Sequence, residues 1–237
     1  MSIDFTKRTG LPELMDDPNI SFEALQGTLK DISKCNSWLG GNAITIKAVE
    51  KLIQSYPDKQ KWTIVDVGCG DGEMLRLLAD YFAKNNLTID YVGIDISEQG
   101  LNMADAASKN YPQVRFLQQD ILTLTKDKLP CDVILCTLTL HHLADDVIHK
   151  FLKKFVDLAN VGVIINDLQR SRLSHRLFQL FSSIFIQSPV AKYDGLISIR
   201  SAFSRDELIN FSKPLKAKDF IIKWKWAFRY LWVIKTV

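Results

Sequence analysis

Residues 62–72, Trp-Thr-Ile-Val-Asp-Val-Gly-Cys-Gly-Asp-Gly, constrain the fold more than any other stretch of this chain. A short apolar run rich in β-branched residues reads as a strand buried on both faces, the pattern of a parallel sheet. Gly68, Gly70 and Gly72 follow at alternate positions, and a helical pattern opens at Glu73 with Met74, Leu75, Leu77 and Leu78. Glycine belongs where the backbone turns with positive φ or where a ligand approaches the main chain. A strand that passes through such a loop into a helix N-terminus suits a nucleotide-like ligand.

The same strand–helix alternation continues downstream. Strands are expected at 62–68, 89–95, 114–118, 132–137 and 161–166, and helices at 72–84, 98–109 and 144–158. That order implies an α/β, Rossmann-like, doubly wound and mostly parallel sheet with right-handed crossovers. The chain ends in two strand-like runs, 217–224 and 227–236, joined so tightly that they must be antiparallel. The expected sheet therefore has seven strands and closes with an antiparallel hairpin. In that hairpin Trp224, Trp226 and Phe228 interleave with Lys223, Lys225 and Arg229, which places aromatics inward and basic groups in solvent.

Helical spacing also appears outside the alternating region. Phe22, Leu25, Leu29 and Ile32 predict a helix over 21–34, broken at Asn36 and Gly40–Gly41, and a second helix runs over 43–55. Residues 171–187 predict a strongly apolar helix that packs on the sheet or on the N-terminal helices, or else covers a pocket, a dimer interface or a membrane surface. A polar stretch containing Gly195 leads to a shorter helix over 204–211, with Ser204 and Glu207 spaced as a capping box. The expected division is an N-terminal helical lid at 1–60 and a sheet domain at 61–237, with 171–212 as a helical insertion after the fifth strand.

Composition narrows the partners. Of the 237 residues 47% are hydrophobic and 24% charged, as in an ordinary globular domain with a large core. A net charge of +3 is too small to make nucleic acid the expected partner. Cys35, Cys69, Cys131 and Cys136 show no metal or disulfide spacing and are expected as free thiols in a reducing compartment. With no signal-like apolar core and no spanning run, the expected location is the cytoplasm, as a monomer or homodimer.

A second acid sharpens the ligand. Tyr91-Val-Gly-Ile-Asp-Ile-Ser97 ends a strand in Asp95, about 20 residues past the loop, where a carboxylate can accept from both ribose hydroxyls. Asp95 could instead cap the next helix, although Ser97 is the better cap.

Asp66-Val-Gly-Cys-Gly-Asp-Gly72 resembles the first motif of class I S-adenosylmethionine-dependent methyltransferases, acid-x-Gly-x-Gly-x-Gly, and departs from the Gly-x-Gly-x-x-Gly of NAD-binding folds. Gln119-Asp120-Ile121 resembles the segment where an acid meets the adenine amino group, and Leu138-Thr-Leu-His-His-Leu143 the segment beside the methionine part of the cofactor. Glu13-Leu-Met-Asp-Asp-Pro18, Asn36-Ser-Trp-Leu-Gly-Gly41 and Phe203-Ser-Arg-Asp-Glu-Leu208 are similar to small bacterial enzymes of the ubiquinone/menaquinone-biosynthesis and natural-product type.

The resemblance implies S-adenosylmethionine as cofactor, S-adenosylhomocysteine as product, and no metal. Its cofactor residues would be Asp66, Gly68, Cys69, Gly70 and Gly72 at the loop, Asp95 and Ile96 at the second strand, and Asp120 and Ile121 at the third. Thr137, Leu138 and His142 at the fourth strand, with Asn36 and Gly41 at the lid hinge, complete the set. The acceptor would be a small aromatic, quinone-like or polyketide-like molecule, methylated on oxygen or carbon. Methyl transfer from a sulfonium needs mainly alignment, and a general base only for a weakly nucleophilic acceptor. Base candidates are His141 and His142, with His175 further along, and each could instead serve packing alone. Asp167, with Arg170 beyond it, could orient an acceptor or make a local ion pair, and Tyr193, Arg200 and Arg205 fall in the covering segment. Other readings are a methyltransferase acting on RNA or protein, a non-catalytic cofactor-fold scaffold, and a dehydrogenase.

Overall fold

The computed structural model describes residues 3–85 and 87–236. Seven strands form one sheet in the order β3-β2-β1-β4-β5-β7-β6. They are β1 (Lys61–Val67), β2 (Thr88–Asp95), β3 (Val114–Gln118), β4 (Cys131–Thr137), β5 (Ala159–Leu168), β6 (Asp219–Lys225) and β7 (Arg229–Lys235). The first five pair in parallel. β7 runs antiparallel between β5 and β6, so the expected closing hairpin is present.

The helices are α1 (Phe22–Trp38), α2 (Gly41–Gln54), α3 (Glu73–Phe82), α4 (Glu98–Ala107), α5 (Asp145–Leu158), α6 (Arg172–Phe185), α7 (Pro189–Ser201) and α8 (Arg205–Ser212). Successive residues of the central strands feed opposite faces. Ile64, Val133, Leu135 and Ile164 join one core with Leu75 and Leu78 of α3, while Val65, Ile134, Cys136 and Ile165 join another with Ile148, Leu152 and Phe155 of α5. This double burial is why the strands read as nearly continuous apolar runs. Val49, Leu52 and Ile53 of α2 lie in the α3-side core, so α2 belongs to the covering layer of the sheet. Of the predicted lid, α1 and the segment before it lie outside that core.

The insertion after β5 differs from expectation around Gly195 and decides between the alternatives for its apolar helix. The stretch around Gly195 is the full helix α7, started by Ser188 as N-cap with Pro189 in the first turn. A Cβ on Gly195 would sit 2.2 Å from Cζ of Phe178, so this glycine is needed for the close crossing of α6 and α7. In α6, the buried residues are Ser174, His175 and Ser182, while Leu173, Leu177, Leu180 and Ile184 are exposed. The apolar stripe faces outward, and the inner face packs on α7.

At the last hairpin, Trp224 and Trp226 are exposed, whereas Arg229 is buried. The predicted placement fails because Trp226 lies in the turn beyond β6, and Arg229 at the start of the interior strand β7 is seated on Asn36 and Gly41.

Candidate active site

The glycine loop sits at the carboxyl end of β1, where strand order reverses between β1 and β4, the crevice in which open α/β sheets bind ligands. Gly68, Gly70 and Gly72 have φ of +73°, +53° and +74°. A Cβ on Gly68 would lie 2.4 Å from the Thr139 side chain, and one on Gly72 would lie 2.5 Å from Phe116. At Gly70 the nearest atom to such a Cβ is Cδ2 of Leu29 in α1, at 3.7 Å. Gly68 and Gly72 thus permit close packing, and Gly70 leaves open ground beneath α1. The Ser33 hydroxyl of α1 donates to Glu73 at the start of α3, so α1 lies across the loop.

Asp95 at the end of β2 holds this loop. Its Oδ2 accepts from the Gly70 amide at 2.8 Å and its Oδ1 from the Ser97 amide at 2.9 Å. Both oxygens retain acceptor capacity. Ser97 caps α4 through the Gly100 amide, as expected from its position. Ile96 beside it is 77% exposed. Asp120 is exposed and caps the turn Ile121–Thr123 through the Leu122 amide, above the buried Ile121.

Asp66 is buried beneath the loop, and its Oδ1 has no hydrogen-bond partner among the described residues. Burial, reinforced by repulsion from Asp95, pushes its pKa up to about 8. Burial likewise pushes the Cys69 thiol up, so it stays protonated. Thr137 at the end of β4 also has an unpartnered buried hydroxyl. Leu138 follows with φ of +54°, a conformation that a branched side chain rarely adopts, and its amide donates to the Asn166 carbonyl at 3.0 Å.

Next comes the short turn Leu140–His142, and here β4, β5 and the N-terminal segment meet. Nδ1 of His141 lies 2.7 Å from Oδ1 of Asp167, and Nδ1 of His142 lies 2.8 Å from Oδ2 of Asp16. The other nitrogens converge on Glu13: Nε2 of His141 is 3.6 Å from one oxygen and Nε2 of His142 is 3.9 Å from the other. Ser198 of α7 donates to Glu13, and Asp194 accepts the Leu14 and Met15 amides, which pins this N-terminal turn. Arg8 donates to the carbonyls of His141 and Leu143. Burial opposes charge on His141, but the charge and hydrogen bond of Asp167, with Glu13, push its pKa up to about 10. In return, His141 holds the buried Asp167 below its ordinary value despite desolvation.

Other predicted residues lie elsewhere. Asn36 accepts from Nη2 of the buried Arg229 at 2.7 Å, and a Cβ on Gly41 would press on the same guanidinium at 2.9 Å. These two therefore form the seat of Arg229. Arg170 makes a two-pronged ion pair with Glu207, at 2.9 and 2.7 Å, and also donates to the Phe5, Thr6 and Ala202 carbonyls. Its donors are committed to tying β5 to α8. His175 is buried edge-on against Phe5, with its pKa lowered by burial and then by Arg200. Tyr193 and Arg205 are exposed on α7 and α8. Glu13 and Asp16 were not among the predicted site residues, although the segment Glu13–Pro18 that holds them carries part of the resemblance to small bacterial enzymes.

Residues 64–162, the span from β1 into β5, match the family model for the methyltransferase domain. Over that span the chain is similar to methyltransferase domains. A ubiquinone biosynthesis O-methyltransferase of Rickettsia prowazekii is 31% identical over 147 residues, which is 61% of this chain and 54% of that protein. One from Coxiella burnetii is 35% identical over 105 residues, 44% of this chain and 41% of its own length. The chain thus spans about half the length of the curated relatives it matches. The fold also matches the plantazolicin methyltransferase BpumL, solved in complex with SAH, with a TM-score of 0.66 at 17% identity over 88% of this chain and 90% of that one. The architecture, a parallel sheet closed by an antiparallel hairpin, is thus one shared with solved methyltransferases. Among the described residues no helix is long and apolar enough to cross a membrane.

Proposed function

We propose that this protein transfers the methyl group of S-adenosylmethionine to a small aromatic, quinone-like or polyketide-like acceptor, on oxygen or carbon. The observation that carries the reading is Asp66, a buried carboxylate with an orphaned oxygen beneath an open glycine loop. An ammonium group on the ligand would supply both the missing donor and the missing charge. The remaining residues fit the rest of the cofactor. Asp95 has acceptor capacity for ribose hydroxyls, exposed Ile96 offers an apolar face to the base, and Asp120 lies in reach of solvent at the next strand end.

When bound, the cofactor supplies an activated methyl group with a thioether as leaving group. The chain's own contribution is placement. Asp66 fixes the amino-acid end of the cofactor and Asp95 its ribose, and Gly70 lets it approach the main chain. Segment 171–212 and the N-terminal turn cover the acceptor side and exclude water. An acceptor hydroxyl or acidic carbon faces the Glu13, His141 and His142 group and loses its proton on that side. Names borne by relatives, ubiquinone O-methyltransferases among them, favour an aromatic oxygen.

Titration calorimetry with S-adenosylhomocysteine tests the reading. One-to-one binding is expected, weakened about tenfold or more in Asp95→Ala, which removes charge-assisted bonds worth ~1.5–3 kcal/mol. Absence of binding to the native protein overturns it. Labelled methyl incorporation into phenolic and 1,3-dicarbonyl acceptors, compared with bulk RNA and protein, then separates the acceptor classes.

A further inference from the structure

Glu13, His141 and His142 each present one ligand-type atom, and all three atoms lie within 4.8 Å of one another. We propose that these residues bind a divalent transition-metal ion, zinc in the first instance, with Asp167 and Asp16 orienting the two imidazoles. The metal site stands on its own geometry. Its use in binding an acceptor oxygen rests on the methyl-transfer reading.

Three features of the cluster distinguish it from an ordinary ion-pair network. The first is the direction of the rings. Both Nδ1 atoms are engaged by carboxylates, His141 by Asp167 at 2.7 Å and His142 by Asp16 at 2.8 Å. With Nδ1 engaged by a carboxylate, each ring directs its Nε2 toward Glu13, where a metal ion would take the place of a proton. A metal-ligating histidine characteristically gives its other ring N–H to a carboxylate, which fixes the tautomer and raises ligand basicity. Here both rings do so, and Ser198 fixes Glu13 in the same manner at 2.7 Å.

The second feature is spacing. Separations of 3.6 Å and 3.9 Å between the Nε2 atoms and the Glu13 oxygens exceed a hydrogen bond. Ligand atoms about 2.1 Å from a tetrahedral ion stand roughly 3.4 Å apart, so these gaps suit an ion between them.

The third feature is charge. Three carboxylates, Glu13, Asp16 and Asp167, surround two histidines. Of the nearby cations, Arg8 places its donors on the His141, Leu143 and Ser201 carbonyls and on Asp145, and the buried Arg229 interacts with Asp167 from the β7 side. A divalent ion that displaced the Nε2 protons would supply positive charge to this carboxylate-rich cluster.

Two histidines and one carboxylate leave coordination positions open, the pattern of catalytic zinc and non-haem iron sites. Imidazole ligands disfavour magnesium, which prefers oxygen. His141 and Glu13 are buried and His142 is half-buried, so the open positions lie on the His142 side. An acceptor hydroxyl coordinated there would release its proton to solvent and present a metal-bound oxygen anion to the methyl donor.

The test uses the full chain, stripped of metal by a chelator and titrated with Zn²⁺ in calorimetry without cofactor. One equivalent is expected to bind and to raise the unfolding temperature, with Mg²⁺ doing neither. His142→Ala and Glu13→Gln should each weaken Zn²⁺ about 100-fold, and the outer Asp16→Asn about 10-fold. Co²⁺ should give ligand-field absorption bands that His142→Ala abolishes. Binding of S-adenosylhomocysteine by each variant reports its fold separately, so failure of the metal site is distinguishable from failure of the methyltransferase reading. Zn²⁺ affinity unchanged in both His142→Ala and Glu13→Gln, or no binding by the native chain, overturns the proposal.

Discussion

Arg229 donates through Nη2 to the side-chain oxygen of Asn36 at 2.7 Å, joining the start of β7 to α1 in the interior of the protein. Its Nε and Nη1 find no partner, and burial pulls its pKa down to about 10 against the opposing effect of Asp167. A buried guanidinium with so few partners depends strongly on each one. Asn36→Ala is therefore expected to cost about 2 kcal/mol, the value of a hydrogen bond to a charged group. Urea unfolding should show the loss as a lower midpoint with an unchanged slope. An unchanged midpoint would mean that Arg229 is held by something other than Asn36.

The three loop glycines predict different failures. Gly68→Ala forces a Cβ into Thr139, 2.4 Å away, in a backbone with φ of +73°, so the protein itself should be destabilised by several kcal/mol. Gly70→Ala meets nothing closer than 3.7 Å. It should cost about 1 kcal/mol of backbone strain while weakening S-adenosylhomocysteine binding about tenfold or more, because the methyl group occupies the ligand's approach. Parallel thermal melts and calorimetry check the split. Equal losses of stability and binding in both variants would remove Gly70 from the cofactor site.

Much of this arrangement was legible in the chain because local pattern and tertiary role coincide there. The β-branched run before Gly68, Ser97 as a helix cap, and the Ser204–Glu207 capping box all act within a few residues of themselves. What escaped depends on long-range meetings. Glu13 and His141 are distant in sequence and adjacent in space, and no period in residues 3–20 announces that the segment folds over β4. Arg229 looked like a solvent-facing member of a basic run, because strand alternation cannot reveal that Asn36 and Gly41 seat its guanidinium. Helix α6 misleads in the opposite sense, since its apolar stripe gives a clear helical period without saying that the stripe faces outward.

Arg170 offers a test of role as well as strength. Its guanidinium is shared between Glu207 and three backbone carbonyls, so Arg170→Leu should destabilise the fold by about 3–5 kcal/mol, as expected when a buried partner is removed. Glu207→Gln keeps the capping geometry and should cost less. In either variant the fraction that remains folded should bind the acceptor with a native KM. A raised KM at native stability would return Arg170 to the acceptor site.

Asp66 gives the clearest pH dependence. Its folded pKa of about 8 lies above the ordinary carboxylate value, so the native state holds a proton that the unfolded chain releases above roughly pH 4. The favourable contribution of that proton is complete below roughly pH 4 and is lost as pH rises through about 8. The slope inside that window is at most ~1.4 kcal/mol per pH unit, and relaxation around the ionised group reduces it. Asp66→Asn cannot ionise, so its melting temperature relative to the native protein should climb from pH 5 to about pH 8 and level off above that in cofactor-free buffer. Asparagine supplies no charge to a ligand ammonium, so the same variant should bind S-adenosylhomocysteine more weakly than the native protein across that range. Saturating ligand should also flatten the native protein's own decline, because an ammonium beside Asp66 favours the ionised form. Stability curves of native and variant protein that stay parallel across this range would show that Asp66 is already ionised at neutral pH, with a partner other than the cofactor.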